Sequence, residues 1–260
     1  LRQNELFRAE ALGRFDELLW LATIDAAMIV WLDSASNRIG HPNENYAREL
    51  MELFSLGVGN YTERDIQEAA RAFTGWRVTS GRSDFRVKEF DSGEKTVFGR
   101  TGRFDGDQVL DLLLERPETA EFVVAKLWRE FVSPDPDARE VRRIAADFRR
   151  SGYRIKVALS GLLSTDAFWS PANRGVLVKS PVDLVVGTLV TLEVPPADAT
   201  PFALAVAGMG QNLFSPPNVK GWRGGEAWID TSTLLARKQF VEAISRYEES
   251  RPGMRQVAMA

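Results

Sequence analysis

The chain has 260 residues with 33 Lys and Arg against 36 Asp and Glu, a single His and no Cys. A net charge of −3 gives no global basic field for a phosphate backbone, so nucleic acid is not expected as a partner. The missing cysteines exclude disulfides, thiolate zinc sites and a cysteine nucleophile, and the length suffices for a sizeable core.

The chain begins inside a helical pattern at Leu1, without an initiator methionine or signal-peptide layout, which predicts a fragment of a longer protein. Apolar residues recur at helical spacing near residues 2–12, 15–23 and 26–33. The most hydrophobic stretch, Leu18–Leu32, is interrupted by Thr23 and Asp25 and predicts buried helix, with no transmembrane segment in this fragment.

The next two helices are predicted near 43–56 and 63–75, joined by the short GVGNY connection as an αα-hairpin. At about 100° per residue, Tyr46, Ala47, Leu50, Met51, Leu53 and Phe54 share an apolar arc that faces a core. Glu44, Arg48 and Ser55 flank it on one side, and Asn45, Glu49 and Glu52 form a second polar stripe. Thr62 with Asp65 three residues on reads as a capping box, with Asp in the usual place of Glu or Gln. The loop lacks the ligand spacing of an EF-hand.

Two readings of this stripe stand side by side. Glu49 and Glu52 could serve as general acid and base, since two close carboxylates push their pKa values apart, with Asn45 orienting a substrate. Alternatively the charges form a lattice in which Glu44 pairs with Arg48 at i, i+4, and Glu49 or Glu52 meets Arg71 or a helix end. His41, beside Asn43, Glu44 and Asn45, is a binding candidate; without further His or Cys it predicts no zinc site, and no metal is assigned.

Alternation over Phe85–Gly99 predicts a small β-hairpin turning at Ser92–Gly93. Helices follow near 106–116, 118–132, 137–150, 154–164, 181–193, 199–209 and 232–248. Asp105 is placed to cap the first of these, Pro117 to open the second, and Pro134 and Pro136 to end it. The expected fold is mainly α: an N-terminal helical part (1–80), a hairpin insertion (81–104) and a C-terminal helical part (105–260), taken as one compact unit. Ser160 lacks the glycine of a nucleophile elbow, which disfavours a serine hydrolase. In the loop Ser215–Trp228, Trp222 and Trp228 could stack on sugar rings or plug the core beneath the loop.

The residues Asn43, Glu44, Asn45, Ala47, Arg48, Glu49, Leu50, Glu52 and Leu53, then Leu56–Gly57, Tyr61–Thr62, Asp65, Ala70–Arg71 and Thr74–Trp76, resemble the hallmark of the bacterial family catalogued as domain of unknown function 1800. The resemblance continues through KTVFG at Lys95 and into the segment Ser215–Arg237, and so covers nearly the whole chain. It implies no settled activity and no known cofactor. It implies a longer N-terminus bearing a W-x-N-H-F type motif, export from the cytoplasm, and a sulfatase-like companion protein. Two functions are therefore expected in parallel. One is a binding or scaffold module acting at the cell envelope with a partner protein, on polysaccharide. The other is a hydrolase using Glu49 and Glu52, part of whose site lies upstream of Leu1.

Overall fold

The computed structural model describes the backbone of residues 2–249 and the side chains of residues 2–246, and it is mainly α with two short β-hairpins. Contacts group the chain into two compact units, Leu1–Arg174 and Gly175–Ala260, each described here by itself.

The N-terminal unit opens with α1 (Arg2–Glu10), α2 (Phe15–Thr23) and α3 (Ala26–Trp31), followed by α4 (Asn45–Glu49) and α5 (Glu63–Ala72). After the hairpins come α6 (Gly106–Leu114), α7 (Pro117–Phe131), α8 (Ala138–Arg150), α9 (Ile155–Leu163) and the short α10 (Asp166–Trp169). The sequence punctuation acts as expected. Thr62 and Asp65 exchange both bonds of a capping box at α5, Asp105 and Gln108 do the same at α6, and Pro117 occupies the first turn of α7. One apolar cluster joins Leu50, Met51, Ile66, Phe73, Leu110 and Leu113, with Ala69 and Ala70 of α5 fully buried between larger side chains. A second joins Val124, Trp128, Ile144, Phe148, Ala158 and Leu162 of α7, α8 and α9. Each large apolar side chain buried in this way contributes roughly 1.5–3 kcal/mol.

The predicted helix over residues 43–56 is not α throughout. After α4 the chain continues as a π-helical turn, Leu50–Ser55, in which the Leu56 N–H donates to the Met51 carbonyl five residues back at 3.0 Å. The Ser55 hydroxyl donates to the Leu50 carbonyl at 2.6 Å, and the Lys126 ammonium donates to the Leu53 carbonyl at 2.6 Å. Because the wider turn advances less than an α-helix per residue, side-chain phases slip after Glu49. Ser55, expected on a polar flank, is fully buried, whereas Leu53 and Phe54 of the expected apolar arc are only half-buried.

The single hairpin expected over Phe85–Gly99 is replaced by two. Strands β1 (Trp76–Thr79) and β2 (Arg82–Phe85) pair antiparallel with Thr79 opposite Arg82, and β3 (Lys95–Val97) and β4 (Arg100–Gly102) pair with Val97 opposite Arg100. Both turns are two residues long, Ser80–Gly81 with φ 52° and 70° and Phe98–Gly99 with φ 51° and 75°. Two left-handed residues give the twist that tight hairpins require. At Ser92–Gly93 the chain instead makes an Asx turn, the Gly93 N–H donating to Asp91 Oδ1 at 2.9 Å.

Helix α5 grips the second hairpin through its acids. Glu68 Oε2 accepts the Thr96 N–H at 2.8 Å and Asp65 Oδ1 accepts the Phe98 N–H at 2.7 Å. Beneath them Lys95, 1% exposed, donates from Nζ to the Asp91 and Gly93 carbonyls at 2.5 and 2.9 Å. Burial lowers the pKa of that ammonium, and the nearby Asp91 carboxylate opposes the shift.

In the C-terminal unit, α11 (Pro181–Thr191), α12 (Thr200–Gly208) and α13 (Thr231–Glu249) bury Val185, Leu189, Val206, Met209, Phe240 and Ile244 together. An apolar groove of about 600 Å³ lies along α11 and α12, lined among others by Val186, Val190 and Phe202, with Glu193 the one charged residue on its wall. No helix among the described residues is long and apolar enough to cross a membrane.

Candidate functional site: an acidic stripe beside a polar cleft

The residues at the head of α4 mostly serve architecture. His41 is exposed at the end of a tight turn in which Arg38 and His41 exchange backbone hydrogen bonds at 2.9 and 3.3 Å. Asn43 donates from Nδ2 to Ser36 Oγ at 2.7 Å and to the Asp33 carbonyl at 3.2 Å, while its Oδ1 accepts the Asn45 N–H at 2.9 Å. Its own N–H donates to Asn37 Oδ1 at 2.9 Å, and Asn37 Nδ2 donates to the Ala70 carbonyl at 2.8 Å. These two asparagines tie the entry of α4 to the end of α5. Asn45 is exposed.

The two arginines expected to pair with these carboxylates, Arg48 on α4 and Arg71 on α5, are both engaged. Arg48 takes Glu44 at 3.1 Å and both oxygens of Glu63, with Nη1 2.9 Å from Glu63 Oε2. The pairing lowers the Glu63 pKa and raises that of Arg48. All three side chains are more than a third exposed or close to it, so the cluster adds little stability. Arg71 holds Glu68 at 3.0 Å and Asp91 at 2.8 Å, in a drier setting. The expected pair of Glu44 and Arg48 is present. Glu63 and Asp91, both distant in sequence from the arginines they bind, carried no local signal.

Glu49 and Glu52 are half-buried, and Glu49 Oε2 is sealed from water. Their neighbour is Tyr61, in the loop before α5. Burial raises the pKa of its phenol, the negative charge of Glu52 raises it further, Arg48 opposes, and Glu49 and a hydrogen bond with Glu52 add to the rise. Tyr61 thus links the acidic stripe to what lies on the other side of the loop.

That other side is a polar cleft of about 560 Å³, whose walls include Asn60, Tyr61, Arg64, Thr96, Phe98 and Arg116. Phe98 and Arg116 also line an adjoining hollow of about 260 Å³ with Arg100 and Glu118. Asn60 and Glu118 in turn line a third, of about 400 Å³, with Phe122 and Arg142. Shared wall residues set the three hollows next to one another. The Arg116 guanidinium stacks over the Phe98 ring at 5.0 Å. Its Nε lies 3.6 Å from Glu118 Oε2, an ion pair in which neither atom has a hydrogen bond among the described residues. Arg64, exposed in the first turn of α5, has no side-chain hydrogen bond or ion pair among the described residues.

Tyr61, Arg64, Phe98 and Arg116 form this site, and sequence patterning did not single them out as site residues. Their common signal is position: each lies in or next to a short irregular segment at an element boundary, where binding residues concentrate. In the C-terminal unit, Trp222 is half-buried and Trp228 is 8% exposed, its carbonyl accepting from Thr233 Oγ1 at 3.0 Å. Trp228 fills the base of its loop. Among the described residues no three His, Asp or Glu side chains gather as metal ligands.

A family model described as "Protein of unknown function (DUF1800)" matches residues 1–259. No curated protein and no solved structure matches the chain.

Proposed function

The chain belongs to the family of unknown function DUF1800, and from that premise we propose that it is a binding module of the bacterial cell envelope that takes polysaccharide in the cleft beside Tyr61 and works with a partner protein. The cleft itself carries this reading. It sets the rings of Tyr61 and Phe98 among Asn60, Thr96, Arg64 and Arg116, the mixture of flat apolar faces and directed polar groups that sugar rings require. Two neighbouring hollows that share wall residues with it suit an extended chain better than a small metabolite. The extracytoplasmic setting and a sulfatase-like companion are supported by the resemblance of the Asn43–Trp76 segment to exported members of the family.

Calorimetric titration with a panel of neutral and charged soluble polysaccharides tests the reading. At least one should bind saturably, and Phe98→Ala or Tyr61→Ala should weaken it by about tenfold or more, the effect of losing one good ring contact. A panel with no binder, or a binder indifferent to both variants, would sink the proposal.

The sealed Glu49 oxygen beside Tyr61 favours a second reading, a hydrolase in which Glu49 and Glu52 act as acid and base, completed by residues upstream of Leu1. On that reading Glu49→Gln in the longer protein lowers depolymerisation by about 10²–10⁴-fold while leaving ligand affinity intact. Undiminished turnover in that variant excludes the role.

A further inference from the structure

We propose that the cleft selects anionic polysaccharide, with Arg64 and Arg116 receiving a carboxylate or sulfate group carried on the sugar; this rests on the reading of the cleft as a polysaccharide site. Both arginines line the hollow of about 560 Å³, and Asp65 is the one acidic residue among its walls. That carboxylate is already committed. Asp65 Oδ2 accepts from the Thr62 N–H at 2.8 Å and from Thr62 Oγ1 at 2.6 Å, and Oδ1 accepts the Phe98 N–H at 2.7 Å.

The walls of this hollow therefore carry two guanidinium groups and one carboxylate that faces the chain's own donors, with Glu118 of the adjoining hollow 3.6 Å from Arg116. Neither guanidinium is saturated. Arg64 has no side-chain hydrogen bond or ion pair among the described residues, and Arg116, its side chain 31% exposed and its Nε buried, faces Glu118 at 3.6 Å without a hydrogen bond among the described residues. A planar fork of N–H donors matches the paired oxygens of a carboxylate or sulfate, and such charge-assisted bonds are about twice as strong as neutral ones. A neutral sugar offers only hydroxyls to the same donors. Stacking on Phe98 at 5.0 Å restrains the Arg116 plane beforehand, which reduces the entropy lost when an anion is bound.

The test is titration of the whole chain with polygalacturonate, a sulfated galactan and neutral dextran of matched length at one ionic strength. At least one polyanion should bind about tenfold more tightly than dextran, and the stronger of the two identifies the group as carboxylate or sulfate. Arg64→Glu should remove that advantage, whereas Arg139→Glu, an equal charge change at an exposed site on α8 outside the three hollows, should leave it unchanged. Arg64 is chosen because its side chain holds nothing in the fold, and Arg116→Gln provides the second variant. Dextran bound as tightly as both polyanions overturns the anion preference while the polysaccharide reading stands. Equal losses from Arg64→Glu and Arg139→Glu show diffuse charge attraction and also overturn it. If none of the three binds, the polysaccharide reading fails and the preference falls with it.

Discussion

The Tyr46 hydroxyl lies 2.5 Å from the Thr23 hydroxyl in the core between α2 and α4. Thr23 Oγ1 already donates its one proton to the Leu19 carbonyl at 2.7 Å, so Tyr46 is the donor in the pair. Tyr46→Phe removes that bond and leaves Thr23 satisfied on its donor side. The expected loss is about 1–1.5 kcal/mol, read as a lower urea midpoint at unchanged slope.

The same residue sets an alkaline limit. Burial raises the Tyr46 pKa, so the folded protein holds its proton where the unfolded chain releases it. Its contribution is complete below the unfolded value of about 10 and is lost as pH rises from there through the elevated folded value. Tyr46→Phe should therefore show a flatter stability profile above pH 10 than the parent chain, measured by denaturant titration at a series of pH values. Parallel profiles would contradict the assignment.

Asp91 gives the opposite limb. Its carboxylate, 16% exposed, meets the Arg71 guanidinium at 2.8 Å; that hydrogen bond, opposed by burial, leads the lowering of its pKa, and the Gly93 N–H assists. Stability from this pair is present above the ordinary aspartate value of about 4 and is lost as pH falls through the lowered one. Asp91→Asn should cost about 1–3 kcal/mol at neutral pH, because it leaves Arg71 with Glu68 alone. Variant and parent should converge in acid.

How far this arrangement could be read from sequence depends on how local its causes are. Helix existence and caps were legible because Thr62, Asp65, Asp105 and Pro117 act within one turn of where they stand. The π turn at Leu50–Ser55 was not, since it is tied to Lys126 on α7 and to the glycine that ends it, and a fixed helical period cannot register a widened one. The hairpins were displaced for a related reason: Ser80–Gly81 and Ser92–Gly93 are the same dipeptide, and only strand pairing decides which becomes the tight turn. The cleft was hidden because Tyr61, Phe98 and Arg116 are brought together by α5 holding β3, through bonds spanning 28 and 33 residues.

The glycine that closes the π turn should be irreplaceable for two separable reasons. Gly57 has φ +76°, and a Cβ there would lie 2.9 Å from the Phe122 ring. Gly59 has φ +94° with open space around it. Both alanine variants incur the left-handed backbone cost of about 1–3 kcal/mol, and only Gly57→Ala must also displace an aromatic ring on α7. Chemical denaturation should rank Gly57→Ala below Gly59→Ala. Equal losses would mean that the Phe122 ring yields freely.

Arg237 presents a cost without an offset. It is 8% exposed on α13, its Nε and Nη2 atoms have no hydrogen-bond partner among the described residues, and burial alone lowers its pKa. An unpaired buried cation forfeits hydration that no carboxylate restores, so an apolar side chain of similar length should be better tolerated than the arginine itself. Arg237→Met is expected to raise stability by about 1–4 kcal/mol, seen as a higher thermal midpoint. Arg237→Ala separates the two components, since it removes the charge and also leaves a void where the long side chain was buried. It should fall below Arg237→Met. A midpoint for Arg237→Met below that of the parent chain would show that the guanidinium meets a counter-charge in solution and stabilises the C-terminal unit through it.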